Sequence, residues 1–232
     1  MVAIVTGGSK GIGLAIARAL LDRGMQVTIT ARSDRDLQGA ASSLGAGDKL
    51  HAVSADVRDE TAARRIVSET VARFGGLDVL VNNAGVGRFA HVADMNVEAW
   101  REVIDTNLTG VFHCTHAALP ELRRRGGGYI INISSLAGKN AFTGGAAYCA
   151  SKAGLNAFSE ALMQEVRYDN IRVSYVMPGS VSTGFGDRGD SGEASWKLSA
   201  DDVARAVVDL IAQDPRALVS RVEIRPSRPR KG

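Results

Sequence analysis

Cysteine is scarce in this chain of 232 residues. Only Cys114 and Cys149 occur, too few and too far apart for a disulfide framework, and both read as small buried residues of a reducing compartment. Long apolar runs are missing as well: none approaches the ~20 residues that span a bilayer. The opening MVAIVTGGSK enters a strand-like run at once, without the charged lead and small-residue cleavage site of a signal peptide. No membrane partner is expected, and a cytoplasmic location is. Net charge is only +3, and most of the basic excess lies at the very end, where Arg221, Arg225, Arg228, Arg230 and Lys231 face a single acid, Glu223. That tail carries no aromatic residue, so it reads as a solvated terminus and not as a nucleic-acid surface. His113 and His116 stand one helical turn apart beside Cys114, but their neighbours offer no carboxylate ligand, and no metal is expected.

What is present is a globular composition, 45% apolar, in a length that suits one domain over residues 1–232. Short β-branched runs read as strands at Val2 to Thr6, Gln26 to Thr30, Leu50 to Ser54, Val79 to Val81, Tyr129 to Ile133, Val173 to Met177 and Val222 to Ile224. Several are nearly continuous apolar runs, as parallel strands covered on both faces should be. Helical patterns fall between them. Ile12, Ala15, Ile16, Ala19 and Leu20 form one apolar stripe, and Val103, Ile104, Leu108, Val111 and Phe112 another. Arginines at 123–125 before Gly126, Gly127 and Gly128 read as a basic last turn and a glycine stop. The alternation predicts an α/β fold: a doubly wound parallel sheet of about seven strands with helices on both faces. Gly184 to Leu198 lacks a regular pattern, and its place after a strand's carboxyl end suits a lid.

Directly after the first strand comes Thr6-Gly7-Gly8-Ser9-Lys10-Gly11-Ile12-Gly13, opening the first helix. Glycines there let the backbone approach a pyrophosphate, and the helix N-terminus supplies N–H donors. A dinucleotide without a 2′-phosphate is usually held by an acid at the end of the second strand. Here that stretch reads Thr30-Ala31-Arg32-Ser33, with no acid and a guanidinium instead. Arg32, with Lys10 as a second cation, suits a 2′-phosphate, so NADP(H) is the expected cofactor.

Tyr148 and Lys152 are four residues apart in a helical pattern from Ala147 through Arg167, so they share a face. A nearby ammonium, with the positive nicotinamide of an oxidised cofactor, is expected to lower the phenol's pKa and fit it for proton transfer. Ser135 follows the strand ending at Ile133, where its hydroxyl can hold a substrate carbonyl; Ser134 is its rival. Asn82-Asn83-Ala84-Gly85 ends another strand, where amides either bind adenosine or brace the sheet. Asn107 is a mild misfit inside a helix: either exposed and idle, or bending the helix and binding a water.

These pieces together resemble the short-chain dehydrogenase/reductase family, in its short single-domain, Rossmann-type branch, over essentially the whole chain. The matching segments come in family order: TGGSKGIG (6–13), Asp56-Val57, NNAG (82–85), Asn107, Ser135, YCASK (148–152) and Pro178-Gly179-Ser180-Val181-Ser182-Thr183. The resemblance implies Tyr148 as general acid in reduction and Lys152 on the nicotinamide ribose, lowering the tyrosine pKa. It selects Ser135 to orient the carbonyl and gives Asn107 a relay water. Gly7, Ser9, Lys10, Gly11, Ile12 and Gly13 would take the pyrophosphate, and Arg32, Ser33 and Lys10 the 2′-phosphate. Asp56 and Val57 would meet the adenine, and Asn83, Ala84 and Gly85 the adenosine ribose. Pro178, Gly179, Val181 and Thr183 would hold the nicotinamide. The implied activity is NADPH-dependent reduction of a ketone or aldehyde, including 3-oxoacyl-type substrates. The alternatives are NAD(P)-dependent alcohol oxidation and a non-catalytic NADP-binding redox sensor. The chain departs from many relatives after Thr183, where the segment is short. Phe89, Phe142, Phe185 and Trp196 are candidates to line an apolar substrate pocket. A homo-oligomer is implied through the helices containing Asn107 and Tyr148, with Phe112, Phe158 and Leu162 on their outer faces.

Overall fold

The structure, a computed structural model, describes residues 1–183, 185 and 196–229. Its strands are β1 (Val2–Thr6), β2 (Gln26–Ala31), β3 (Leu50–Ser54), β4 (Val79–Asn82), β5 (Gly128–Ile133), β6 (Ile171–Pro178) and β7 (Arg221–Ile224). Between them run helices α1 (Gly11–Asp22), α2 (Asp34–Leu44), α3 (Glu60–Phe74), α4 (Val97–Ile104), α5 (Gly110–Arg124), α6 (Ala146–Val166) and α7 (Ala200–Ala212). The strands form one parallel sheet in the order β3-β2-β1-β4-β5-β6-β7, a Rossmann-type α/β fold. Each expected strand is found, extended by at most two residues at an end.

The sheet is covered on both faces because its central strands are mostly apolar and buried on both sides. In β1, Ala3 and Val5 enter one core with Ile16 and Leu20 of α1, Leu37 of α2 and Val207 of α7. Ile4 points the other way, into a core with Ile66 of α3, Leu122 of α5 and Val166 of α6. That is the two-residue alternation of a strand read at both faces. Each fully buried Ile or Leu of this kind contributes roughly 1.5–3 kcal/mol of transfer free energy. At the edge, β7 alternates exposed and half-buried positions, because Val222 and Ile224 pack against the first core and Arg221 and Glu223 face away from it.

Local chemistry sets the helix ends. Side chains of Ser33, Asp59 and Asn96 cap α2, α3 and α4, and Ser199 with Asp202 closes a reciprocal capping box on α7. Arg123 and Arg124 occupy the last turn of α5, and Gly126 follows with φ +81°, the left-handed stop that glycine permits. Leu162, expected on an outer helix face, is instead buried in the second core, because its α6 position faces the sheet. Phe112 is exposed and stacks on His116, ring centroids 5.6 Å apart, while Phe158 packs partly against the core. Among the described residues no helix is long and apolar enough to cross a membrane.

The chain runs outward from β1 in one direction through β2 and β3, then returns to lay β4, β5, β6 and β7 on the other side of β1. The loops leaving β1 and β4 therefore diverge and open a crevice at the carboxyl ends of these strands, where such folds bind ligands.

Candidate active site

A cleft of about 550 Å3 opens at that crevice. The glycine loop forms its floor. Gly7 has φ +66°, and a Cβ there would meet Ala84 Cα at 2.9 Å, so the chain passes close to the end of β4 only as glycine. A Cβ at Gly13 would overlap the Gly7 carbonyl and the Asn83 amide. Gly13 does not line the cleft; it seats α1 against the loop. Thr6 holds the neighbouring strand, its hydroxyl accepting the Asn83 and Ala84 N–H groups, each at 3.0 Å. The Asn83 side-chain amide donates to the carbonyls of Thr6 (2.9 Å) and Gly7 (3.2 Å). Of the two readings of that amide, bracing the sheet is the one its donors perform.

The same cleft gathers Ser9, Lys10, Gly11 and Ile12 from the loop, Arg32 and Ser33 after β2, and Asp56 and Val57 after β3. Asn83, Ala84 and Gly85 come from β4, and Pro178, Gly179, Val181 and Thr183 from the end of β6. The Asp56 carboxylate is gripped by Arg58 (Nη2 to Oδ2, 2.6 Å), which holds its pKa below the usual carboxylate value. Ser33 accepts the Asp36 N–H at 3.2 Å as the cap of α2.

Ser135, Tyr148 and Lys152 line the opposite end. Residues 134 and 135, adjacent in sequence, turn to different tasks. The Ser134 hydroxyl donates to Asn156 Oδ1 at 2.5 Å, whereas Ser135 hydrogen-bonds the Tyr148 phenol and accepts the Ala137 N–H at 3.1 Å. Lys152 is 4% exposed, and its Nζ donates to the Ile133 carbonyl at 2.8 Å. Burial pushes its pKa down to about 8. Nζ lies 5.9 Å from the centroid of the Tyr148 ring.

Burial acts on the Tyr148 phenol beside the nearby ammonium. Within the chain its pKa is raised above the ordinary tyrosine value: burial disfavours phenolate, and the Ser135 hydrogen bond only partly offsets this. Asn107 is not exposed and idle. It is fully buried, and it sits where α4 passes into α5 through a π-helical turn, Asp105–Thr109. Its Nδ2 donates to the Val86 carbonyl (2.9 Å) and Ser151 Oγ (3.0 Å), and its Oδ1 accepts the Val86 N–H (2.8 Å). Both amide donors are spent on protein, so the side chain clamps the β4 loop to α6; Thr106, not Asn107, lines the cleft. Such a turn widens the helix by one residue and is frequent at functional sites.

Of the aromatic candidates, Phe185 lines the cleft and lies 5.7 Å from the Tyr148 ring. Phe89 is 5.6 Å from Tyr148 and 5.9 Å from Phe142. Trp196 is half-buried and is not part of the lining. The expected lid has pinned ends, with Ser182 N–H donating to Leu198 O and Leu198 N–H to Ser180 O, both at 2.9 Å; Gly184 and residues 186–195 lie outside the described residues. Arg225 pairs with Glu223 (3.1 Å), as does Lys139 (2.7 Å), while Arg230 and Lys231 lie outside the described residues. His113 Nδ1 contacts the Val57 carbonyl at 3.2 Å. Arg88 in the lining and Glu102 beside it were not singled out from sequence.

Comparison with known proteins adds a family. A model described as short chain dehydrogenase matches residues 1–193. An uncharacterized oxidoreductase of Staphylococcus epidermidis is 36% identical over 225 residues, covering 97% of this chain and 96% of the relative. An alcohol dehydrogenase from Thermococcus sibiricus complexed with 5-hydroxy-NADP superposes with TM-score 0.90 at 30% identity, covering 100% of this chain and 98% of that one. An actinorhodin polyketide ketoreductase with NADPH gives TM-score 0.89 at 33% identity, covering 97% and 95%.

Proposed function

This chain belongs to the short-chain dehydrogenase family of oxidoreductases, and from that premise we propose that it is an NADPH-dependent reductase of ketones or aldehydes with Tyr148 as general acid. One observation carries the reading: a half-buried Tyr148, hydrogen-bonded to Ser135 and one turn from a buried Lys152, shares a cleft with a glycine loop at the head of a helix. The loop fits a dinucleotide, since side chains are excluded at Gly7 and Gly13 and the N-terminus of α1 offers backbone N–H groups to an anion. Gly7, Ser9, Gly11 and Ile12 would hold its pyrophosphate, and Pro178, Gly179, Val181 and Thr183 its nicotinamide. Asp56, Val57, Asn83, Ala84 and Gly85 would surround the adenosine. Arg32 and Ser33, with Lys10, would take a 2′-phosphate, and the absence of an acid at Ala31 supports NADP(H) over NAD(H). A bound nicotinamide supplies the hydride.

The chain's own residues handle the proton. Ser135 Oγ holds the substrate oxygen beside Tyr148 Oη, which gives up its proton as negative charge develops there. The raised phenol pKa supports this direction, because the acid is protonated at neutral pH. Lys152, ammonium at pH 7 with a pKa of about 8, compensates the phenolate left behind. Asn107 positions the Val86 loop against α6. Phe89, Phe185 and Phe142 give the substrate end an apolar wall, which suits a bulky apolar ketone. A homo-oligomer through the exposed Phe112 face of α5 accompanies this reading. The test is a panel of carbonyls, from acyl thioesters to small aldehydes and diketones, assayed for NADPH and NADH consumption. Turnover with NADPH on a ketone supports the reading; tight NADPH binding with no turnover across the panel replaces it with a sensor.

A further inference from the structure

At the open mouth of the cleft, two cleft-lining arginines converge on one acid that does not line it. Glu102, on α4, is 20% exposed at its side chain. Arg88 grips it with two bonds, Nε to Oε2 at 2.9 Å and Nη2 to Oε1 at 3.4 Å. Arg32 approaches the same Oε1 with Nη1 at 3.6 Å. That is a charge contact too long for a hydrogen bond, and the Arg32 side chain is half-exposed. Arg58 feels the charges of Glu102 and Asp105, but its fork is committed to Asp56 through Nε and Nη2. Asp36 also lines this end of the cleft. Glu102 is therefore anchored by Arg88 and only loosely engaged with Arg32, the cation that the cofactor reading assigns to the 2′-phosphate.

We propose that Glu102 is a specificity-determining residue that acts through Arg32: a resident carboxylate that an adenosine 2′-phosphate must displace from the guanidinium. The inference rests on the cofactor reading given above. A phosphate arriving at Arg32 brings two negative charges to a group already partly neutralised, so part of the charge attraction available to NADP(H) is withheld. NAD(H), which presents only hydroxyls there, does not meet this competition. The chain thus moderates its own preference for the phosphorylated cofactor, with Arg88 holding the competitor in place.

Glu102→Gln keeps the shape of the side chain and one accepting oxygen for Arg88, and removes the charge. Affinities for NADPH, NADH and 2′-phosphoadenosine are measured by titration calorimetry on the full chain, with thermal unfolding as a check on folding. Glu102→Gln tightens NADPH and 2′-phosphoadenosine by about two- to fivefold, the range an exposed ion pair supports, and leaves the NADH value in place. Glu102→Asp, which keeps the charge, restores most of the wild-type ratio. In an Arg32→Ala background, Glu102→Gln no longer alters the NADPH:NADH ratio, since coupled residues are not additive. An unchanged ratio on Glu102→Gln, a parallel shift of both cofactors, or an effect that persists without Arg32 overturns the proposal. If Arg32→Ala alone leaves the ratio untouched, the phosphate reading fails and this one with it. A ratio that collapses on Arg32→Ala while Glu102→Gln is silent removes only the role of Glu102.

Discussion

At one end of the cleft Lys152 is 4% exposed and Tyr148 is pressed among aromatic rings; at the other, the side chain of Arg32 is 50% exposed and shares an acid with Arg88. The two ends treat charge in opposite ways. Around Lys152 the ammonium has lost its water and kept one carbonyl, so its pKa falls to about 8. Around Arg32 solvent and salt screen every pair, and no single contact is worth more than about 1 kcal/mol. Chemistry that moves a proton gains from the first setting, where a small displacement of charge carries a large energy. Recognition of a charged ligand gains from the second, where partners exchange at little cost.

Breaking the buried end should have the largest effects. Lys152→Met is expected to lower kcat by about 100-fold or more while stabilising the fold at neutral pH. Burial lowers the lysine from 10.5 to about 8. The unfolded chain therefore binds the extra proton between those values, and wild-type stability rises with pH across that window. Below about pH 8 the whole penalty, on the order of 3 kcal/mol, weighs on the wild type. Urea unfolding at pH 7 and pH 10.5 should show the variant's advantage shrinking with pH; an equal advantage at both would mean that the ammonium is not desolvated.

Ser135→Ala comes next, with kcat reduced by about 100-fold, the cost of one donor at a developing oxyanion. Ser134→Ala should disturb stability through its Asn156 bond and leave a smaller mark on turnover. Kinetics of the two variants side by side sharpen the contrast. At the exposed end Arg32→Asp should reverse the cofactor preference by about 10-fold or more, read as kcat/KM with NADPH against NADH. The wild-type preference should fall with added salt while kcat changes little. Salt insensitivity would show that the Arg32 end is not electrostatic.

How much of this was legible in the sequence follows the range of the interactions. β1 and β4 could be read because burial on both faces makes them continuous apolar runs up to a polar last residue, Thr6 and Asn82. Tyr148 and Lys152 could be paired because four residues is one turn of a helix. Asn107 announced itself as a misfit, yet its partner Val86 is 21 residues away, and no local pattern predicts a π-turn. The residues alone left Ser134 and Ser135 as rivals, since the partner that occupies Ser134, Asn156, lies 22 residues on. Arg88 and Glu102 left no signal, since a chain with 28 Lys and Arg offers many such pairs. The burial of the Tyr148 phenol escaped because spacing reports the ammonium nearby and not the loss of water around the ring.

In the proposed mechanism the Tyr148 phenol delivers the proton while the rest of the cleft holds the reactants. Tyr148→Phe, with NADPH affinity and ketone reduction measured on the same preparation, tests it most directly. The account expects kcat to fall by about 10²- to 10⁴-fold with NADPH affinity kept within about a factor of two. Turnover that survives the loss of the hydroxyl, or cofactor binding lost in step with turnover, would contradict it.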